Sequence, residues 1–161
     1  MKIHPCTTDD VPAVCSIYNH YIEHTVITFE ETPLTSAQMQ ARVNSYTQFY
    51  PWLICEDEDE VVGYAYASKW KERVAYKHTA EVTVYLKHNA TQKGYGSALY
   101  AELIAQLKTQ GCHVLLGCLA IPNDPSTKLH ERFGFKQVAH FNEVGRKFNR
   151  WIDVGYWQKV L

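Results

Sequence analysis

Apolar residues recur at two different spacings along this chain, and the changes between them divide it into alternating helices and strands. The opening MKIHPC reads as a short strand. A helix then starts near TTDD, with Thr8 as the cap and Asp9 and Asp10 at the positive end of its dipole. Its apolar positions Val11, Val14, Cys15, Ile17, Tyr18, Tyr21 and Ile22 fall three and four apart, on one helical face. A second helix begins at TSAQ, where Thr35 and Gln38 have capping-box spacing, and runs to about Tyr50. The period then shortens. PWLICE and VVGYAYASKW flank the acidic tip DEDE as an antiparallel hairpin, the tip itself being read as a solvated turn without a functional role. TAEVTVYL is a third such strand. Leu99, Leu103 and Leu107, with Ile104 beside them, predict a helix from about Gly96 to Gln110, stopped by Gly111. CHVLLGCLA is another strand, and NDPSTKLHERFGF is a helix capped at Asp124, with Pro125 first inside it and Gly134 as its stop. FKQVAHFNEV and RWIDVGYWQKVL close the chain as two strands. With no repeat and no linker, residues 1–161 read as one α+β domain, a sheet with helices packed on it.

Composition narrows the possible partners. The 161 residues are 46% apolar and 20% charged, enough for one buried core. A net charge of -1 and the lack of a dense Lys/Arg run argue against a nucleic-acid surface. No signal-like start and no apolar run near the roughly 18 to 20 residues of a spanning helix point to a cytosolic protein without a membrane partner. The five cysteines are scattered and form no C-x-x-C pair, so they read as buried free thiols.

The segment TQKGYGSALY places Gly94 and Gly96 where a polar run becomes a helix. A helix start carries three or four amides without carbonyl partners and a partial positive charge, and glycine lets an anion approach them. A nucleoside-triphosphate loop would need a lysine after the last glycine, and a dinucleotide fingerprint a third glycine at position 99 and an acid about 20 residues on. Position 99 is Leu99, and HVLLGCLA carries no acid, so neither pattern fits. An ordinary tight turn remains the plain alternative.

Strand, polar turn, QKGYGSALY and helix together resemble the acyl-CoA site of the Gcn5-related N-acetyltransferases, with signature Q/R-x-x-G-x-G/A; here Thr91 stands at the Q/R position and Gln92 follows it. The segments VCSIYNHYIEHTVITFEETP, YPWLICE, GYAYASKWKERVAY, EVTVYL, GSALY, PNDPSTKLHERFGF and DVGYWQ are similar, in that order, to phosphinothricin and methionine sulfoximine acetyltransferases. The resemblance implies a mixed, mostly antiparallel, twisted sheet of seven strands with helices on both faces. Two parallel neighbours splay there to admit the pantetheine arm. It also implies acetyl-CoA as co-substrate, no metal, a small-molecule amine as acceptor, and a homodimer.

Acetyl transfer to an amine needs a neutral nucleophile, a polarised thioester and a proton for the leaving thiolate. Glu81 is a carboxylate inside an apolar strand, where burial would raise its pKa toward that of a working base; alternatively it lies on a solvated face or pairs with a lysine. Alternation puts it on one face with Thr83 and Tyr85. The resemblance makes Glu81 the general base. His130 stands where many of these enzymes carry a tyrosine acid, and can act as acid or as substrate orienter. For the cofactor, the resemblance places strand backbone at Val84, Tyr85 and Leu86 against the pantetheine. It places loop donors at Gln92, Lys93, Gly94, Tyr95, Gly96 and Ser97, and Asn123 on the opposite side, where the plain alternative is a helix cap. Lys71, Glu72, Arg73 and Tyr76 precede the Glu81 strand and fall on the acceptor side, with Arg73 favoured for a carboxylate because its guanidinium forks around one. Phe29 and Lys147 match acceptor-side positions too; a core aromatic and a solvated lysine are the alternatives. His20 and His24, one helical turn apart, could ligate a metal but lack a third ligand in the pattern, and His113 is read as core or edge. The expected reaction is direct transfer of acetyl from acetyl-CoA to the α-amine of a small amino acid or analogue. The rivals are another amine (a polyamine, a peptide N-terminus or an aminoglycoside) and a non-catalytic acyl-CoA sensor.

Overall fold

The computed structural model describes residues 1–90 and 93–161. Among them are seven strands and four α-helices: β1 (Lys2–Pro5), α1 (Val11–His24), α2 (Ser36–Thr47), β2 (Trp52–Asp57), β3 (Glu60–Lys69), β4 (Thr79–Leu86), α3 (Tyr95–Thr109), β5 (Val114–Ile121), α4 (Asp124–Arg132), β6 (Lys136–Lys147) and β7 (Arg150–Val160). The strands form one sheet in the order β1-β2-β3-β4-β5-β7-β6, with only the β4–β5 pair parallel. This is the mixed, mostly antiparallel sheet expected.

Side-chain alternation sends apolar residues into two cores, one on each face of the sheet. Leu99, Leu103 and Leu107 of α3 are fully buried against Ala80, Val82 and Leu115 on one face. Val14, Tyr18 and Ile22 of α1 meet Trp52, Tyr64 and Tyr85 on the other. The capping box at α2 is formed, Gln38 N–H donating to Thr35 Oγ1 at 3.2 Å and Thr35 N–H to Gln38 Oε1 at 2.9 Å. Two other caps differ from expectation. A 3₁₀ turn at Thr8–Asp10 precedes α1, and Thr7 rather than Thr8 pairs with Asp10, whose carboxylate accepts the Thr7 amide at 2.7 Å. At α4 the cap is Asn123 and not Asp124, because the Asn123 side chain reaches the Ser126 amide.

The parallel pair positions the site. β4 and β5 are in register only from Thr79↔Val114 to Glu81↔Leu116. Beyond Glu81 they diverge, leaving the β4 edge from Val82 to Leu86 open toward β5. The hairpin tip also has a role that the charge pattern hid. Asp57 accepts the Tyr95 hydroxyl at 2.5 Å, fixing the first residue of α3 to the end of β2.

Candidate active site

Gly94 caps α3 in a left-handed conformation, φ +84°, with no neighbour near the position of an added Cβ. Its carbonyl accepts the Ala98 amide at 3.0 Å, so the amides of Tyr95, Gly96 and Ser97 have no partner within the helix. They are the donors an anion would meet. Tyr95 turns its ring inward and is buried, offering only its backbone. Lys93 is exposed beside this turn, Ser97 Oγ accepts from Arg132 at 3.1 Å, and Gln92 lies outside the described residues. Arg132 brings a cation next to the helix start that the motif did not reveal. The two glycines differ in purpose: a Cβ on Gly96 would stand 3.6 Å from Leu86 and Leu129, an ordinary contact, whereas Gly94 is required by its backbone. Gly94→Ala carries a left-handed penalty of about 1–2 kcal/mol. We expect it to raise the KM for acetyl-CoA by roughly 5–30-fold, while Gly96→Ala keeps the parent Tm; steady-state kinetics and a thermal melt check both.

The splayed strands enclose a cleft lined by Thr83, Val84, Tyr85, Cys118, Asn123 and His130, among others. Val84, Tyr85 and Leu86 present strand backbone along its open edge, as an extended amide-bearing arm requires. The Leu86 carbonyl is already engaged, accepting the Tyr21 hydroxyl at 2.7 Å. The Asn123 oxygen is taken by its cap, which leaves the Nδ2 donor for a ligand. Cys118 is exposed into this cleft, and Cys6 and Cys112 are half-buried; only Cys15 and Cys55 are the buried thiols expected, and all five are free.

Glu81 is half-buried at the last position where β4 pairs with β5, one residue before the cleft-lining Val82 and Thr83. Burial raises its pKa above the ordinary glutamate value, and the Lys71 ammonium opposes that shift. Burial raises the pKa of Tyr100 and Cys118, on the cleft, and of Tyr156, on the other side, and the Glu81 charge adds to each shift. On that side lies a pocket of about 460 Å³ whose lining includes Trp70, Lys71, Tyr76, Leu116, Phe141 and Tyr156. Trp70 and Tyr76 meet edge to face at 5.1 Å, and the Lys71 ammonium lies 5.4 Å from the Trp70 ring centre.

The other expected acceptor residues are placed elsewhere. Glu72 and Arg73 line a second hollow with Phe49, Tyr50 and Lys77, and Lys71 lines both hollows. Glu72 pairs with Lys69 there at 3.2 Å. Phe29 is half-exposed, its ring against Gly145 where no Cβ could fit. Lys147 is neither solvated nor in the pocket. It is buried and donates to the Thr28 carbonyl at 2.9 Å, tying β6 to the loop that carries Phe29. His113 is an exposed edge residue.

His130 is buried behind the cleft. Nδ1 lies 2.7 Å from the Ser126 carbonyl and Nε2 3.0 Å from the Tyr100 hydroxyl. A carbonyl only accepts, so Nδ1 carries the proton; burial lowers the pKa and keeps the ring neutral. Nε2 is then a lone pair filled by the Tyr100 O–H, and the ring has no free proton to give. Tyr100 escaped the sequence reading because it is embedded in the leucine stripe of α3.

A helix start with unpartnered amides, a cleft between splayed parallel strands and a half-buried carboxylate one residue from its lining are the parts an acyl-CoA-dependent acyltransferase needs. The chain belongs to the Acetyltransferase (GNAT) domain family, which is matched over residues 3–155. It is 40% identical to a phosphinothricin N-acetyltransferase of Streptomyces viridochromogenes over 99% of this chain and 87% of that protein. It is 34% identical to an L-methionine sulfoximine/L-methionine sulfone acetyltransferase of Pseudomonas aeruginosa over 94% and 90%. Among solved structures, a Brucella melitensis ribosomal-protein-alanine N-acetyltransferase superposes with TM-score 0.98 at 33% identity over 100% of both chains. A Sinorhizobium meliloti phosphinothricin acetyltransferase in complex with acetyl-CoA superposes with TM-score 0.96 at 31% identity over 99% of this chain and 88% of that one. The chain is an acetyl-CoA-dependent N-acetyltransferase.

Proposed function

We propose that the protein transfers acetyl from acetyl-CoA to the α-amine of a small amino acid or analogue of the phosphinothricin or methionine sulfoximine type. The observation that carries this reading is Glu81, half-buried and coupled through its charge to Tyr100 and Cys118 of the cleft and to Lys71 and Tyr156 of a pocket that is apolar but for Lys71 and a few neutral polar groups. One cation suits one carboxylate, and apolar walls suit a short side chain. No carboxylate lines that pocket, which disfavours polyamines and aminoglycosides. The acceptor's ammonium loses one proton to Glu81, directly or through a water, and the neutral amine attacks the thioester carbon. Collapse of the tetrahedral adduct breaks the C–S bond, and the second proton shed by nitrogen neutralises the thiolate. His130 acts as a positioning group that orients the Tyr100 hydroxyl at the cleft wall. Lys71 lines this pocket and Arg73 does not, so Lys71 takes the carboxylate role.

Exposed Phe141, Val144, Phe148 and Trp151 on β6, β7 and their turn support a homodimer, and free cysteines support a cytoplasmic setting. No helix among the described residues is long and apolar enough to cross a membrane. The function is tested by a thiol-release screen across amino acids, their phosphinate, sulfoximine and sulfone analogues, polyamines and an alanine-initiated peptide. We expect kcat/KM for the amino-acid analogues to exceed the rest at least tenfold. Turnover of the peptide alone would transfer the acceptor assignment to protein N-termini. Coenzyme binding without any turnover would favour a sensor.

A further inference from the structure

His20 and His24 stand one turn apart on α1, and the fold supplies the third imidazole that the sequence pattern lacked. His88, just beyond β4, stacks on His20 with ring centres 4.4 Å apart and planes 18° from parallel. The His24 ring centre is 4.8 Å from that of His20. His20 and His88 line a common hollow with Glu60 and Lys87, which pair with each other. His24 Nε2 has the Glu23 carboxylate 3.9 Å away. His20 is half-buried and the other two rings are exposed, so all three can turn without disturbing the core.

We propose that His20, His24 and His88 form an accessory site for a divalent transition ion, Zn²⁺, Ni²⁺ or Cu²⁺. Three nitrogen donors with an open fourth position for water match the borderline-soft ions and not Mg²⁺ or Ca²⁺, which take oxygen ligands. Imidazoles sharing one ion at about 2.0–2.1 Å have ring centres roughly 5 Å apart. The His20–His88 and His20–His24 ring centres are already near that spacing, and the exposed rings must turn out of the stack to bring their nitrogens onto one ion. The bound ion pins the end of α1 to the segment leading into Gly94, apart from the acetyl-transfer centre. A second cluster, His4 with Asp10 and Glu56, is the competing candidate. There one ligand atom from each group lies within 4.8 Å of the others, but two of the three are carboxylates, a harder donor set, and His4 Nδ1 is engaged with the Pro5 carbonyl at 2.9 Å.

The test is a calorimetric titration of the full chain, free of acetyl-CoA, with zinc chloride, paired with the visible spectrum of the Co²⁺-loaded protein. We expect one equivalent bound in the micromolar range, at least tenfold weaker in His88→Ala and in His24→Ala and unchanged in His4→Ala. The Co²⁺ d–d bands should vanish with His88→Ala. Absence of binding below millimolar zinc, wild-type affinity in His88→Ala, or loss of the ion in His4→Ala would each overturn the proposal. Because the substituted rings are exposed or half-buried, unchanged thermal melts will confirm that the variants remain folded.

Discussion

Glu81→Gln is expected to lower kcat/KM by about 10²–10⁴-fold, the usual contribution of a positioned general base, and to leave the acetyl-CoA affinity unchanged. The wild-type rate should fall as pH drops through the Glu81 pKa, which burial holds above the ordinary glutamate value. The variant should lose that acid limb, so the two profiles differ most at higher pH. Stability should move the other way. A carboxyl whose folded pKa is raised stabilises the fold below its unfolded pKa, and that contribution is lost as pH rises through the folded value. Ionised Glu81 therefore weakens the fold near neutrality, and glutamine removes that penalty. A higher Tm combined with a much slower enzyme is the expected pair of results. A rate unchanged in Glu81→Gln would remove the base from the mechanism.

Gly117→Ala is expected to disable the enzyme through His130. A Cβ on Gly117 would stand 2.2 Å from His130 Nε2 and 2.5 Å from Cδ2, so the ring must leave its seat. With it go the hydrogen bonds to Tyr100 and Ser126. Overpacking of this kind costs about 1–3 kcal/mol, and the drop in kcat should exceed what lost stability explains, because the cleft wall is rebuilt. The double variant Gly117→Ala with His130→Ala separates the effects. Relieving the clash should recover most of the Tm while kcat stays low, a non-additivity that contacting residues show. Recovery of both would reduce His130 to packing.

The sequence made the helix start at Gly94 and the in-strand carboxylate at Glu81 legible, since each breaks a local pattern: glycines open a helix, and an acid interrupts β-branched residues. The two-core sheet was legible for the same reason, as the switch from helical spacing to alternation marks each element. What escaped depends on distances between elements. Asp57 looked like one more charge at a hairpin tip until β2 and α3 came together. Tyr100 looked like part of a leucine stripe, and its hydroxyl acquires meaning only against His130. Lys71 and Arg73 are two residues apart on an exposed loop, and that Lys71 alone also reaches the pocket of Trp70 and Tyr156 follows from how that loop is folded, which no period encodes. Asn123 and Asp124 are adjacent cap formers, and only the backbone angle of the turn selects between them.

The brief pairing of β4 with β5 makes the coenzyme a missing piece of architecture as well as a reagent. Among the described residues no strand pairs with β4 on the β5 side beyond Glu81, a seam in the middle of the sheet along which the proposed site lays the pantetheine arm. Occupancy closes that seam, and by mass action the folded state gains RT ln(1 + [L]/Kd) from the same molecule that supplies the acetyl group. Starved of acetyl-CoA, the protein becomes less durable as well as idle.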